Sequence, residues 1–311
     1  MKKVLFATTA LVATAGIASA EVSLSGSAEI GLVGGDNIET QFHNDIDVKF
    51  DLSGETDNGL TFGATIDLDE VGDDCGTTVF GAAEVCTSGD SIAASGAKDE
   101  EHSVFISGGF GTVTMGDTDG ALDWAMQEVN LVGGSIADDE TAHDGFNGNG
   151  GLDAAYDGQV LRYDYSFGSF GVAASLETDD SGAGDPIFGL GVKYDADLGG
   201  IGIGFGLGYQ AAEDVDVIGV SVDADFGNGF VAGINYSELN SDVAGADDSH
   251  MGIGFGYESG AYGVGINYGE YDSGADGFGI AATYDLGGAV VQFGYGSDTD
   301  DTYSLGVAMS F

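Results

Sequence analysis

A two-residue rhythm constrains this chain more than any other feature. In Tyr303–Phe311 every odd position is large and apolar, and every even one is Ser, Gly or Ala. Ile201–Tyr209, Met251–Tyr257 and Tyr262–Tyr268 repeat the pattern, with Gly at most of the small positions. Period 2 puts one residue class on each face of a β-strand. A soluble sandwich would set Lys, Arg, Glu and Thr opposite the large face, whereas here the opposite face is Gly, Ser, Ala and Asp. Aromatic residues such as Phe62, Phe167, Phe170, Tyr209, Phe230, Tyr257 and Tyr284 fall at or near strand ends. That placement suits the two interfacial girdles of a membrane barrel, although a sandwich can also carry aromatics at its rims. The Gly-x-Gly-x-Gly runs lack nucleotide-loop spacing and open no helix.

The rhythm predicts strands at 22–33, 42–53, 60–70, 101–108, 110–117, 160–167, 169–177 and 187–196. Eight more follow at 200–211, 215–226, 229–237, 249–258, 260–270, 276–286, 288–296 and 301–311. Their connections alternate in kind. Gly54–Gly59, Gly108-Gly109, Gly168-Ser169, Gly227-Asn228 and Gly287 are tight, while 34–41, 71–100, 117–159, 178–186 and 238–248 are mostly long. An even strand count with tight turns at one end and loops at the other predicts an all-β, 16-stranded antiparallel transmembrane β-barrel. Closure also explains strands that carry no edge protection from Pro or Lys.

Charge separates the remaining possibilities. Acids number 53 and bases 6, a balance that by itself would suggest disorder. However, 43% hydrophobic and 10% aromatic residues are too many for a disordered chain. Nucleic-acid binding is excluded by the same charge. Lys2 and Lys3, the apolar run Val4–Ile17 and Ala18-Ser19-Ala20 read as a signal peptide over residues 1–20, leaving one domain over 21–311. The bases then remaining are Lys49, Lys98, Arg162 and Lys193. Cys75 and Cys86, the only cysteines, read as a disulfide in an exported chain, with two free thiols or a metal pair as the alternatives.

Asp117–Gln159 is the one long break in the strand rhythm, and a loop of that length in a compact domain is functional or disordered. The functional reading takes it as the constriction of a water-filled barrel. It brings the acids Asp117, Asp119, Asp123, Glu128, Asp138, Asp139 and Glu140. Leu122, Trp124, Met126 and Val129 have rough helical spacing, which predicts a short helix packing the loop against the inner wall; a local surface cluster or a patch meeting a neighbouring subunit is the alternative. Strand parity places His43, Asp45, Asp47 and Lys49 on the wet face, since a lipid-facing Lys at midplane costs about 2–4 kcal/mol. The same parity turns Arg162, Asp164 and Lys193 inward.

The mature start Glu21-Val22-Ser23-Leu24-Ser25-Gly26, the turn Ser53-Gly54-Glu55-Thr56-Asp57-Asn58-Gly59-Leu60, the run Phe110-Gly111-Thr112-Val113-Thr114-Met115-Gly116-Asp117 and the terminal Phe311 occur in an order that resembles a Gram-negative general porin of alphaproteobacterial type. The resemblance implies a homotrimer in the outer membrane, among lipid and lipopolysaccharide, that passes small hydrophilic solutes and ions. It also implies that the third long loop, here 117–159, folds into the lumen, and that Phe311 serves as an assembly signal. Family loops bring acids to face wall bases, but Asp45 and Asp47 stand where the family often has arginine. That departure predicts cation preference. A substrate-selective channel of the same fold and a secreted, calcium-binding, acidic β-rich adhesin are the alternatives. Asp73-Asp74, Asp138–Glu140, Asp247-Asp248 and Asp298–Asp301 could hold loop-bound Ca²⁺, without the spacing of a defined calcium loop. No catalytic arrangement and no other cofactor are expected.

Overall fold

The computed structural model describes residues 21–69, 100–136, 141–153, 159–178 and 184–311. The expected signal peptide, Cys75, Cys86, Lys98, Asp138, Asp139 and Glu140 lie outside the described residues.

The strands are β1 (Glu21–Gly35), β2 (Gln41–Glu55), β3 (Thr61–Asp69), β4 (Glu100–Gly108), β5 (Gly111–Gly116), β6 (Val160–Phe167), β7 (Phe170–Glu177) and β8 (Ile187–Asp197). They continue as β9 (Gly202–Ala211), β10 (Val215–Asp225), β11 (Phe230–Ser241), β12 (Asp248–Ser259), β13 (Tyr262–Tyr271), β14 (Asp276–Asp285), β15 (Ala289–Ser297) and β16 (Thr302–Ser310). Among the described residues one helix, α1 (Ala121–Ala125), interrupts them. Each strand pairs antiparallel with its neighbours, and β1 pairs with β16, so the barrel is closed. The seam is completed by Phe311, whose N–H donates to the Gly26 carbonyl at 2.8 Å. All sixteen expected strands are present, and the largest boundary difference is at β11, which runs four residues further than its alternation suggested.

The tight turns follow from local chemistry. Between β14 and β15, Gly287 and Gly288 take φ of +83° and +128°, a region that favours glycine, and Asp285 accepts from the Gly287 N–H at 2.6 Å.

The two faces differ as the parity requires. The large apolar face is exposed, as in Phe42 (91%) and Leu190 (60%). At the tight-turn end its aromatics touch in pairs: Phe170 with Tyr194, Phe230 with Tyr257 and Tyr262 with Tyr284, at 4.7, 4.4 and 4.8 Å between ring centres. An exposed belt of Leu, Ile and Val bounded by aromatics is matched to hydrocarbon rather than to water. The buried apolar cluster lies on the opposite face, where Leu122 and Met126 pack on Val217 with Leu152 and Leu239 beside them.

That opposite face is the inner one, by the reach of the chain. Ala121 lies against Gly189 and Gly191 of β8, and Ile136 lies against Gly306 of β16 and Gly31 of β1. With strands about 4.8 Å apart and tilted near 40°, half the circumference of sixteen strands is roughly 50 Å. A path laid about 5 Å inside such a wall is roughly 35 Å long, and one laid outside it roughly 66 Å. The residues from 121 to 136 span at most about 52 Å when fully extended. Only the inner path can be covered.

Candidate functional site

The segment that follows β5 lies along the inner wall in two arms. The outgoing arm, 121–136, crosses β8 to β16, and the returning arm, 141–153, comes back from β15 to β9. Glycines make this approach possible. A Cβ on Gly191 would overlap the Ala121 carbonyl oxygen, one on Gly254 that of Val129, one on Gly265 that of Val132 and one on Gly296 that of Ala142. The small face is therefore not uniformly wet, as the alternation alone suggested. From β7 round to β16 much of it is covered by backbone.

Single polar side chains interrupt the glycine track and satisfy polar groups of the segment, most of them backbone. Ser175 Oγ accepts from Ala121 N–H at 2.9 Å, and Ser221 Oγ from Gln127 N–H at 2.8 Å. Gln210 Oε1 accepts from Leu152 N–H at 2.7 Å, and Ser304 Oγ from Ile136 N–H at 3.3 Å. His250 Nε2 donates to the Gly145 carbonyl at 2.9 Å. Asn267 accepts from His143 Nε2 at 2.7 Å and donates to Thr141 Oγ1 at 2.8 Å. A buried backbone N–H left without such a partner would cost about 1–3 kcal/mol. Alternation alone does not separate these wall residues from other inward positions, although Gln210 interrupts the run Gly204-x-Gly206-x-Gly208.

Three of the four apolar residues with helical spacing are buried in this segment. Leu122 and Val129 are 1% and 2% exposed, Met126 is buried, and Trp124 packs on Gly171 of β7. The helix, however, stops at Ala125 and does not extend to Val129; Met126 is already extended at φ −88°, ψ 157°. Two causes are visible. Ser221 takes the Gln127 N–H that a continuing helix would have used. The chain also has to cover the wall, and a strand advances about 3.3 Å per residue against 1.5 Å in a helix.

The charged side chains of β2 and β6 pair with neighbouring polar groups. Lys49 Nζ lies 3.8 Å from Asp67, and Asp47 accepts from Ser27 Oγ at 2.8 Å. His43 and Asp45 share that face of β2, opposite Gly31 and Glu29 of β1. Arg162 lies 3.6 Å from both Asp119 and Asp164 and donates to the Asp119 carbonyl at 2.7 Å, so it fixes the root of the segment. Lys193 Nζ sits 3.8 Å over the Trp124 ring and 3.5 Å from its carbonyl oxygen. Asp117 and Asp119 are exposed, and Asp123 and Glu128 partly so.

Asp153, at the far end of the returning arm, is mostly buried rather than facing water. It accepts from Gly120 N–H at 2.7 Å and from Gln210 Nε2, tying the two ends of the segment together. Burial pushes its carboxyl above the ordinary 3.8, more than those two hydrogen bonds pull it down. A raised folded-state value means the folded protein holds the proton more tightly, so stability falls as pH rises from 3.8 through the folded value. The thermal midpoint of the wild type, taken relative to Asp153→Asn at each pH, should therefore rise as pH drops from 7 to 4. A flat difference would show that the carboxyl carries no such linkage.

The fold and this inner surface define a membrane-spanning barrel whose bore is partly filled by its own third loop. The chain matches the Gram-negative porin family over residues 7–303 and belongs to it, which places it in the outer membrane. A porin of Rhodobacter capsulatus is 30% identical over 225 residues, covering 71% of this chain and 57% of that protein, so the match spans less than two thirds of that relative. A porin structure refined at 1.8 Å is 25% identical, with a TM-score of 0.69 over 94% of this chain and 100% of that one. A substituted form of Rh. blastica porin is 21% identical, with a TM-score of 0.69 over 93% and 100% of the two chains.

Proposed function

We propose that the protein is a passive, cation-preferring diffusion pore for small hydrophilic solutes and ions, working as a homotrimer among lipid and lipopolysaccharide, with no turnover and no cofactor. The described segment covers the wall from β7 to β16 and leaves β2–β6 open. The free cross-section is then bounded by the segment on one side and by β2–β6 on the other.

One observation carries the charge preference. Asp45, Asp47 and Asp51 stand on the open wall in excess of its ion pairs, Lys49 with Asp67 and Arg162 with Asp119 and Asp164, and the third described base, Lys193, lies over Trp124 on the covered wall. A base whose charge is neutralised locally does little to attract anions. Screening acts over about 8 Å at physiological salt, comparable to the half-width of such an opening, so the acids act on ions in transit. Reversal potentials across a planar bilayer under a salt gradient test this. Potassium should outweigh chloride, and a chloride preference would overturn the reading.

A further inference from the structure

Lys193 stands where the outgoing arm begins. It lies in register between Gly171 of β7 and Gly206 of β9, so the wall carries no side chain on either side of it. The arm uses both gaps. A Cβ on Gly171 would lie 2.8 Å from Trp124 Cη2 and 3.0 Å from Lys193 Cγ, and one on Gly206 would overlap the Ala125 carbonyl oxygen. The lysine is thus a post with the indole seated on one side and the end of α1 on the other.

Its contacts are with the arm and not with acids. Nζ sits 3.8 Å from the centre of the Trp124 ring and 3.5 Å from the Trp124 carbonyl oxygen. The helix ends at Ala125 with no base of its own in the last turn, and a cation from the wall complements that carbonyl end. Among the described residues no carboxylate lies within 4.0 Å of Lys193, although the chain carries 53 acids. A charge turned onto an indole face and a carbonyl acts on the loop before it acts on passing ions.

The geometry points to Lys193 as a positioning residue of the channel: with Trp124 it clamps the start of the third loop to the wall of β7–β9 and keeps it out of the free cross-section. Ser175 and Asp153 hold Ala121 and Gly120 just before it, so loss of the clamp frees the Trp124 end and leaves the barrel intact. A freed end swings into the passage and interrupts it. This deepens the proposed pore and rests on it for the readout.

Single channels of the full chain in planar bilayers test it. Lys193→Met, which keeps an apolar stem and removes the cation, and Trp124→Leu should each raise the frequency of brief closures about fivefold, as loss of one cation–π contact implies. The double variant should close no more often than either single one, because both remove the same contact. Lys193→Arg should stay near the wild type, since a guanidinium also stacks on an indole. Trp124 is the only tryptophan, so acrylamide quenching in detergent reports on it alone. Quenching should rise in Lys193→Met and return in Lys193→Arg, and Lys193→Gln replaces the methionine form should that fail to insert. Reversal potentials separate a clamp from a pore charge: the permeability ratio of Lys193→Met should shift by less than about twofold. A larger shift without added closures, additive closures in the double variant, unchanged closures and quenching, or an arginine form that behaves like the methionine form would overturn the assignment. A chloride preference in the wild type would sink the cation reading and leave the clamp standing, so the two fail separately.

Discussion

Replacing Asp45 and Asp47 together by lysine is expected to abolish the preference for potassium and bring the channel to parity or to a chloride preference. Both residues face inward on β2, in the part of the wall that the described segment leaves open. A unit charge acting on an ion 10 Å away in water is worth about 0.4 kcal/mol, and screening at 0.1 M salt leaves about a third of it. Two reversals change the wall by four charges, which is about 0.6 kcal/mol for a cation and the opposite for an anion. The difference of about 1.2 kcal/mol corresponds to nearly a tenfold change in the permeability ratio. Asp47 also accepts from Ser27 Oγ, so the double variant should lose about 1 kcal/mol of stability while keeping the barrel. An unchanged reversal potential in a correctly inserted variant would mean that this wall does not govern selectivity.

Gly254→Ala and Gly265→Ala, combined, are expected to loosen the segment from the wall. The added methyl groups would overlap the carbonyl oxygens of Val129 and Val132, and backbone cannot rotate aside as a side-chain tip can. Forced overpacking costs about 1–3 kcal/mol per site. Both sites press on the same few residues, so their effects should not simply add. Gly204→Ala is the control, because its methyl would meet only the end of the Asp223 side chain, which can swing away. The control also removes the general gain of about 0.5–1 kcal/mol from replacing a strand glycine. The double variant should unfold at a lower temperature in detergent, and protease should cut within 126–136. Midpoints equal to those of the control would show that the close seating has no energetic weight.

Both expectations depend on surfaces that the alternating pattern disclosed unequally. Side chains on a strand point to opposite faces in strict succession, so the amino-acid order alone assigned Leu190 outward and Gly191 inward, and it did so for sixteen strands. It likewise turned Lys49, Arg162 and Lys193 away from lipid, because charge in hydrocarbon is costly. Periodicity says which face a residue occupies and nothing about what lies against that face. The coverings of Gly254 and Gly191 are set by contacts between residues more than sixty positions apart. The same holds for Ser221 with Gln127, 94 positions away, and for Ser304 with Ile136, 168 positions away. Local sequence also overstated the helix: spacing favoured 122–129, but the distance to be covered along the wall ended it at Ala125. The order of residues thus determined the barrel and the sidedness of its charges. Only the closed tertiary structure decided which inward residues anchor the third loop and which still face water, since that depends on where a chain of limited reach can lie within a ring.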